Sequence, residues 1–189
     1  MEGVKILAVV GMSGSGKSAV VEYLAGKNIP KVCFNSVVYE VMAEEGIERT
    51  AESERMYRKQ IREREGKDFL AKRTIEKIKN LIDAGQKRIV LDGPQSWTEY
   101  KVLKKEFPKE VKVVATISPR KLRHERMVKR AERLLEIREM NERDWSEIED
   151  IEKGGPIANA DYYIENSGTV KELHENVKKL LNEIEFLRT

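Results

Sequence analysis

The stretch Gly11-Met12-Ser13-Gly14-Ser15-Gly16-Lys17-Ser18 holds the residue types and spacing most able to do chemistry. It fits G-x-x-x-x-G-K-[ST], the P-loop or Walker A pattern, at every fixed position. Glycines let the backbone turn tightly and aim its N–H groups at phosphate oxygens. A helix that starts there adds unpaired N–H groups and a positive dipole end. All eight residues are therefore candidates to bind ATP, with Gly14, Gly16 and neighbouring amides as the cradle. Lys17 would reach the β- and γ-phosphates and the Ser18 hydroxyl would take a place on Mg²⁺. The plain alternative is a glycine-rich turn that binds nothing. The apolar run Lys5–Val10 before it and Ala19–Leu24 after it supply the strand and helix that a working loop needs.

Three further groups could complete such a site. Asp92 ends the apolar run Arg88-Ile89-Val90-Leu91. A carboxylate at a strand end beside a P-loop can hold Mg²⁺ or its waters opposite Ser18, the Walker B role; otherwise it caps the next helix. Arg123, Arg126 and Arg130 repeat at helical spacing within a basic stretch, 119–133, that also holds Arg133 and Glu132. Arg123 and Arg126 are expected to close on the transferred phosphoryl group and neutralise its charge. A solvated face of Glu–Arg pairs and a nucleic-acid patch are the competing readings, and no aromatic residues interleave as the latter would require. Arg62-Glu63-Arg64-Glu65-Gly66 could hold an acidic acceptor, or could lie on an exposed charged helix. His124 and His174 lack metal-ligand spacing, and Trp97 and Trp145 either line a pocket or pack in a core.

The elements that must position these groups follow from hydrophobic periodicity. Strands are expected at 4–10, 32–34, 88–93, 111–117 and 161–164. Helices are expected at 17–26, 35–46, 52–84 with a break at Gly66, 96–106, 120–152 and from Thr169 onward. Ser118 is expected as the N-cap before Pro119, Gly154-Gly155-Pro156 as a turn, and Val170 through Leu187 as one apolar face. Strands alternating with helices argue for an α/β fold: a five-stranded parallel sheet with helices on both faces and the phosphate site at the strands' carboxyl ends. The segments 35–66 and 120–150 are charged, helical and poor in core residues, so they should protrude.

Composition sets outer bounds. The 189 residues suit one domain with a real core. At 37% charged residues the surface is dense in charge, and with abundant Lys and Glu the usage resembles that of heat-adapted proteins. A net charge of +3 is too small to imply nucleic acid. The single Cys33 forms no internal disulfide and is expected as a buried small hydrophobe. No apolar run reaches the roughly 20 residues that span a bilayer, so no membrane partner is expected and the cytoplasm is the expected location.

Together, GMSGSGKS, the VLDG strand end, the arginine helix, RERxG and ADYYIENSG resemble the nucleoside-monophosphate-kinase-like group. The chain looks most like an archaeal family of adenylate-kinase-related proteins, often likened to dephospho-coenzyme A kinase. The resemblance implies a three-layer P-loop NTPase fold with a core at 1–34, 67–119 and 153–189. It implies a helical acceptor-binding segment at 35–66 and a lid at 120–152. It also places Asn166 near the adenine ring and carries the acceptor role onto Arg62, Arg64 and position 39. The chain departs from the family at that end. Asn35-Ser36 stand where members carry Gly-Asp, Tyr39 where they carry Arg, and Gln95 where Arg often follows Asp-Gly.

Those departures carry a chemical consequence. A sugar hydroxyl needs a general base to accept a phosphoryl group, and Ser36 cannot supply one. An ionised phosphate needs only positioning and charge neutralisation. The reading that results is an ATP- and Mg²⁺-dependent kinase acting on a small nucleotide-like acceptor. An ATP-binding switch or weak ATPase is the alternative, then dephospho-coenzyme A kinase-like activity, with nucleic-acid processing weakest. The oligomeric state is not legible.

Overall fold

The computed structural model describes residues 2–130 and 137–187. Arg133 and Glu132, and the side chain of Arg130, lie outside what is described. Five parallel strands, β1 (Lys5–Val10), β2 (Lys31–Cys33), β3 (Arg88–Asp92), β4 (Val111–Ile117) and β5 (Tyr162–Glu165), form one sheet in the order β2-β3-β1-β4-β5. The central strand β1 is flanked by β3 and β4 and reads as a continuous apolar run because both its faces are covered. Alternate side chains serve the two faces. Ile6, Ala8 and Val10 face a core closed by α4 (Phe69–Asp83), α5 (Trp97–Glu106) and α8 (Gly154–Ala158). Leu7 and Val9 face one closed by α1 (Lys17–Ala25) and α9 (Val170–Glu183). The three layers expected for this fold are thus present.

A third apolar cluster joins α2 (Phe34–Glu44) and α3 (Ala51–Glu65) to the start of α4, through Val38, Met42, Tyr57, Ile61 and Leu70. It lies apart from the sheet cores, so the charged segment after β2 has an apolar anchor of its own. Gly66, at φ 96°, separates α3 from α4 where the break was expected. The stretch expected as a lid carries α6 (Arg120–Arg130) and α7 (Ile137–Glu149) among its described residues. Among the described residues no helix is long and apolar enough to cross a membrane.

Several local expectations are corrected. Residues 154–158 form the short helix α8, not a turn; Pro156 is tolerated there because first-turn N–H groups need no helical partner. Ser118 does not cap α6: its hydroxyl donates to the carbonyl of Asn166 at 2.6 Å and lies 3.3 Å from that of Ser15. Two converging loops leave carbonyls to be satisfied there, and the hydroxyl serves them. Asp92 does not cap α5 either. Ser96 does, in a capping box with Glu99 worth about 1 kcal/mol. Val170 and Leu187 are exposed at the ends of the expected apolar face, and Phe186 is buried instead. Cys33 is only half-buried, with its thiol toward Asp92 Oδ2 at 3.7 Å.

Candidate phosphate-binding site and its neighbours

The loop Gly11–Ser18 joins the carboxyl end of β1 to the start of α1. Two of its glycines are required by geometry. Gly16 caps α1 in the left-handed region at φ 98°, and a Cβ there would collide with the Asn166 carboxamide. Gly14, at φ 79°, would place a Cβ 2.5 Å from the Arg123 carbonyl oxygen. Both glycines are therefore held from the far side by residues about 110 and 150 positions away in the chain. Asn166 is buried and donates from Nδ2 to the Ser15 carbonyl at 2.8 Å.

Lys17 pairs directly with Asp92, and both side chains are mostly shielded from solvent. The pairing follows from the sheet: β1 and β3 are neighbours with Val9 opposite Asp92, so the two strand ends deliver loop and carboxylate to one place. Burial pushes the Cys33 thiol above its ordinary pKa, and the Asp92 charge pushes it further. The set fits Mg²⁺, which keeps several waters and takes one or two carboxylates together with phosphate oxygens. Ser18 lines the loop's cavity and Asp92 adjoins it through Lys17. Among the described residues no cluster of three or more His, Cys, Asp or Glu side chains forms a protein-only metal cage.

The two α6 arginines, Arg123 and Arg126, are both engaged by groups of the protein. Arg123 is only 7% exposed and makes a two-pronged ion pair with Asp144 of α7 at 2.7 and 2.8 Å, while donating to the Ser13 carbonyl at 2.9 Å. His124 Nε2 lies 3.0 Å from the same carboxylate. Arg126 lies against the Ser118 hydroxyl, the Asn166 carboxamide and the Gly168 carbonyl. Both therefore tie α6 to the loops around the P-loop.

The groups that α7 and the following turn bring to the cavity are different ones. Arg143, Glu147 and Lys153 line it with Lys17 and Ser18. The Glu147 carboxylate accepts from the Ser13 amide at 3.0 Å and from its hydroxyl, and pairs with Lys153 at 2.8 Å. Burial pushes the Glu147 carboxyl up, but Lys153 and Ser13 outweigh it and hold it below its ordinary range. Burial also lowers the Lys153 ammonium, more than Glu147 raises it. Sequence reasoning missed Glu147 and Lys153. Nothing in their spacing marks them among the many charges of 137–153, and only the return of α7 over the loop singles them out.

The cavity measures about 430 Å³ and extends from the P-loop to Asn35 and Gln95. Beyond it lie Arg58 and Arg62 of α3. Arg58 donates to the Asn35 carboxamide oxygen at 3.0 Å. The Gln95 Nε2 and Arg62 Nη2 atoms are buried with no hydrogen-bond partner among the described residues. Buried Glu99 accepts from the amides of Gln95 and Ser96 and feels both arginines; burial pushes its carboxyl above the ordinary range. Arg64 points away: its side chain is 51% exposed and pairs with Glu45 and Glu65. Tyr39 donates to Glu54 at 3.0 Å with the Arg49 guanidinium stacked on its ring. Ser36 donates to the Cys33 carbonyl. Trp97 stacks on Tyr100, Trp145 is exposed and His174 stacks on Tyr23.

A five-stranded parallel sheet of this order, with a lysine-bearing phosphate loop at β1 and a carboxylate at β3, defines a P-loop kinase-like α/β protein. The AAA domain family AAA_18 matches residues 7–152. The chain belongs to the UPF0200 family of archaeal proteins. It is 34% identical over 182 residues to a UPF0200 protein of Thermococcus kodakarensis, covering 95% of this chain and 97% of that one. It is 37% identical over 186 residues to one of Sulfurisphaera tokodaii, covering 96% and 98%. Among solved structures it is similar to TT1252 from Thermus thermophilus, with a TM-score of 0.69, 17% identity and coverage of 96% and 98%. It is also similar to shikimate kinase from Acinetobacter baumannii in complex with shikimate, with a TM-score of 0.59, 17% identity and coverage of 98% and 95%. At such identities these structures speak for the fold alone.

Proposed function

We propose that this protein is an adenylate-kinase-related phosphotransferase that moves the γ-phosphoryl group of ATP to a small, nucleotide-like acceptor. The observation that carries the reading is the cavity that joins the P-loop to Asn35 and Gln95, whose side-chain Nε2 is buried with no hydrogen-bond partner among the described residues. Its volume suits a donor phosphate chain and a small acceptor group. Gly11, Met12, Ser13, Gly14, Ser15 and Gly16 would cradle the phosphates, and Lys17 would bridge the β- and γ-groups. Ser18 and Asp92 would hold Mg²⁺, which supplies neutralising charge to the phosphate oxygens. Residues 1–189 act as one unit in this reading, with core 1–34, 67–119 and 153–189, acceptor segment 35–66 and lid 120–152.

On the acceptor side the reading rests on Arg62, joined by Arg58. An arginine on α3 makes up for the one missing at position 39. Arg62→Ala is expected to raise the acceptor KM about ten- to a hundredfold, the equivalent of about 1.5–3 kcal/mol for a charge-assisted contact, with the KM for ATP unchanged. Equal loss for both substrates would remove Arg62 from the acceptor site. Arg123 and Arg126 hold the lid on the P-loop in this reading and meet the transferred group only if their present contacts are released.

The test of the whole is transfer from γ-labelled ATP to a panel: nucleoside monophosphates, nucleosides, dephospho-coenzyme A, shikimate, gluconate and RNA. Label on a nucleoside monophosphate supports the reading, and label on dephospho-coenzyme A alone replaces it. A second reading, an ATP-binding switch, is favoured by the direct seat of the lid residue Glu147 on the P-loop residue Ser13. Through that contact nucleotide binding would reach the lid. Slow release of free phosphate whatever the acceptor would support it.

A further inference from the structure

The Glu147 carboxylate sits on the phosphate loop as a phosphate would. One oxygen accepts from the Ser13 amide and the other from the Ser13 hydroxyl and the Lys153 ammonium. Its side chain is only 7% exposed, so this is a built contact and not a surface approach. The location within the loop is informative. The amides of Gly16, Lys17 and Ser18 stand at the N-terminus of α1, where the inner phosphates belong. Lys17 reaches past them to the β/γ end. Lys17, Glu147 and Lys153 line one cavity, so Lys153 and its carboxylate partner share with Lys17 the space into which the outer phosphates extend. Arg143 adds a further cation to the wall, 3.9 Å from Glu147.

We propose that Glu147 is a resident counter-anion occupying the γ-phosphate end of the cradle, and that the γ-phosphate takes over Ser13 and Lys153 when ATP binds. The inference rests on the nucleotide reading of the loop. Two anions cannot share these donors: the like charges repel at short range, and each donor hydrogen serves one acceptor well. ATP must therefore turn Glu147 out, whereas ADP, which ends at the β-phosphate, can bind with Glu147 in place. The Arg123–Asp144 pair one helical turn earlier keeps α7 seated, so a side-chain rotation suffices. Lys153, freed from Glu147, then becomes a ligand of the transferable phosphate, and Glu147 sets the preference between the two nucleotides.

The test is calorimetric titration of ADP and of a non-hydrolysable β,γ-imido analogue of ATP into the full chain and three variants. Glu147→Gln keeps an acceptor for Ser13 but loses the charge; it should bind the ATP analogue about tenfold tighter with ADP unchanged within about twofold. Glu147→Ser removes the anion outright and leaves Ser13 and Lys153 in place, so it covers the case in which Glu147→Gln fails to fold. It should shift the same way, with ADP again unchanged within about twofold. Lys153→Met should weaken the ATP analogue about tenfold and spare ADP. Parallel shifts for both nucleotides, or none, in the folded variants overturn the inference. An unaltered chain that binds neither nucleotide overturns the reading of the loop itself, and the inference with it.

Discussion

Lys17→Ala is expected to lower phosphoryl transfer about a thousandfold or more while the chain stays folded. Removing a single preorganised donor from a developing oxyanion typically costs about a hundred- to a thousandfold, and charged groups on a transferring phosphoryl reach further. Lys17 is placed for that role at the start of α1, with its ammonium already drawn to Asp92 across the β1–β3 step. The structural cost is small by comparison. Asp92 loses its partner but keeps partial solvent access and the Cys33 thiol beside it. A loss of about 1–2 kcal/mol, a few degrees in melting temperature for a chain of this size, is the expected penalty. Turnover of purified Lys17→Ala and its melting curve decide the matter together. Transfer at the unaltered rate would remove the loop from the chemistry.

Asp144→Ala carries the largest expected effect on stability. Asp144 and Arg123 are 5% and 7% exposed, and their two-pronged pair is the main polar bond between α7 and α6. Breaking such a pair from one side strands the buried guanidinium and costs about 3–5 kcal/mol, a large share of the roughly 5–15 kcal/mol that holds a domain. The melting temperature should fall by about 10 °C, with faster amide exchange in α7. Arg123→Met combined with Asp144→Leu should recover most of the loss, because no unpaired charge is left behind. The sign of the pH dependence follows from the carboxyl. Burial pushes it up, but Arg123 and His124 outweigh burial and hold it below its ordinary range. The unfolded chain therefore takes up the proton first as the solution is acidified. The stabilisation is complete above the ordinary carboxylate pKa and is lost as pH falls through that range towards the folded value. Urea melts at pH 7 and pH 4 should show the gap between Asp144→Ala and the unaltered chain narrowing at the lower pH. A variant within about 1 kcal/mol of the unaltered chain at pH 7 would show that the pair does not hold α7 on α6.

The pair Arg62 and Arg64 shows where linear reading runs out. Residues two apart on a helix lie about 200° apart around its axis, so these arginines cannot share a face. Spacing alone implies that one serves a buried site and the other faces solvent. It does not say which, because that depends on how α3 is rolled against α2 and α4. Packing of Tyr57 and Ile61 in the small cluster of the insert sets the roll, and sends Arg62 inward and Arg64 to Glu45 and Glu65. Exposed pairs of that kind add little to stability, so Arg64 is not held there strongly. Arg58, one turn before Arg62 on the same face, was legible by the same rule once Arg62 was known to point inward.

What the sequence by itself determined is whatever depends on neighbours in the chain. The P-loop is eight consecutive residues whose conformation is set by their own glycines. The strands are short apolar runs, and the break at Gly66 and the α/β alternation are local signals too. Their sum implies a parallel sheet with a phosphate site at its carboxyl edge. What only the tertiary structure decided is which charges face that site. In α6 the periodicity lines up Arg123 and Arg126, but the docking of α7 turns Arg123 onto Asp144, and Arg126 goes to the Asn166 loop. That same docking brings Glu147 and Lys153 over Ser13 from about 135 and 140 residues downstream. Helical phase is local and cheap to read from spacing; the roll of one helix against another is the outcome of packing the whole core, and no run of residues contains it.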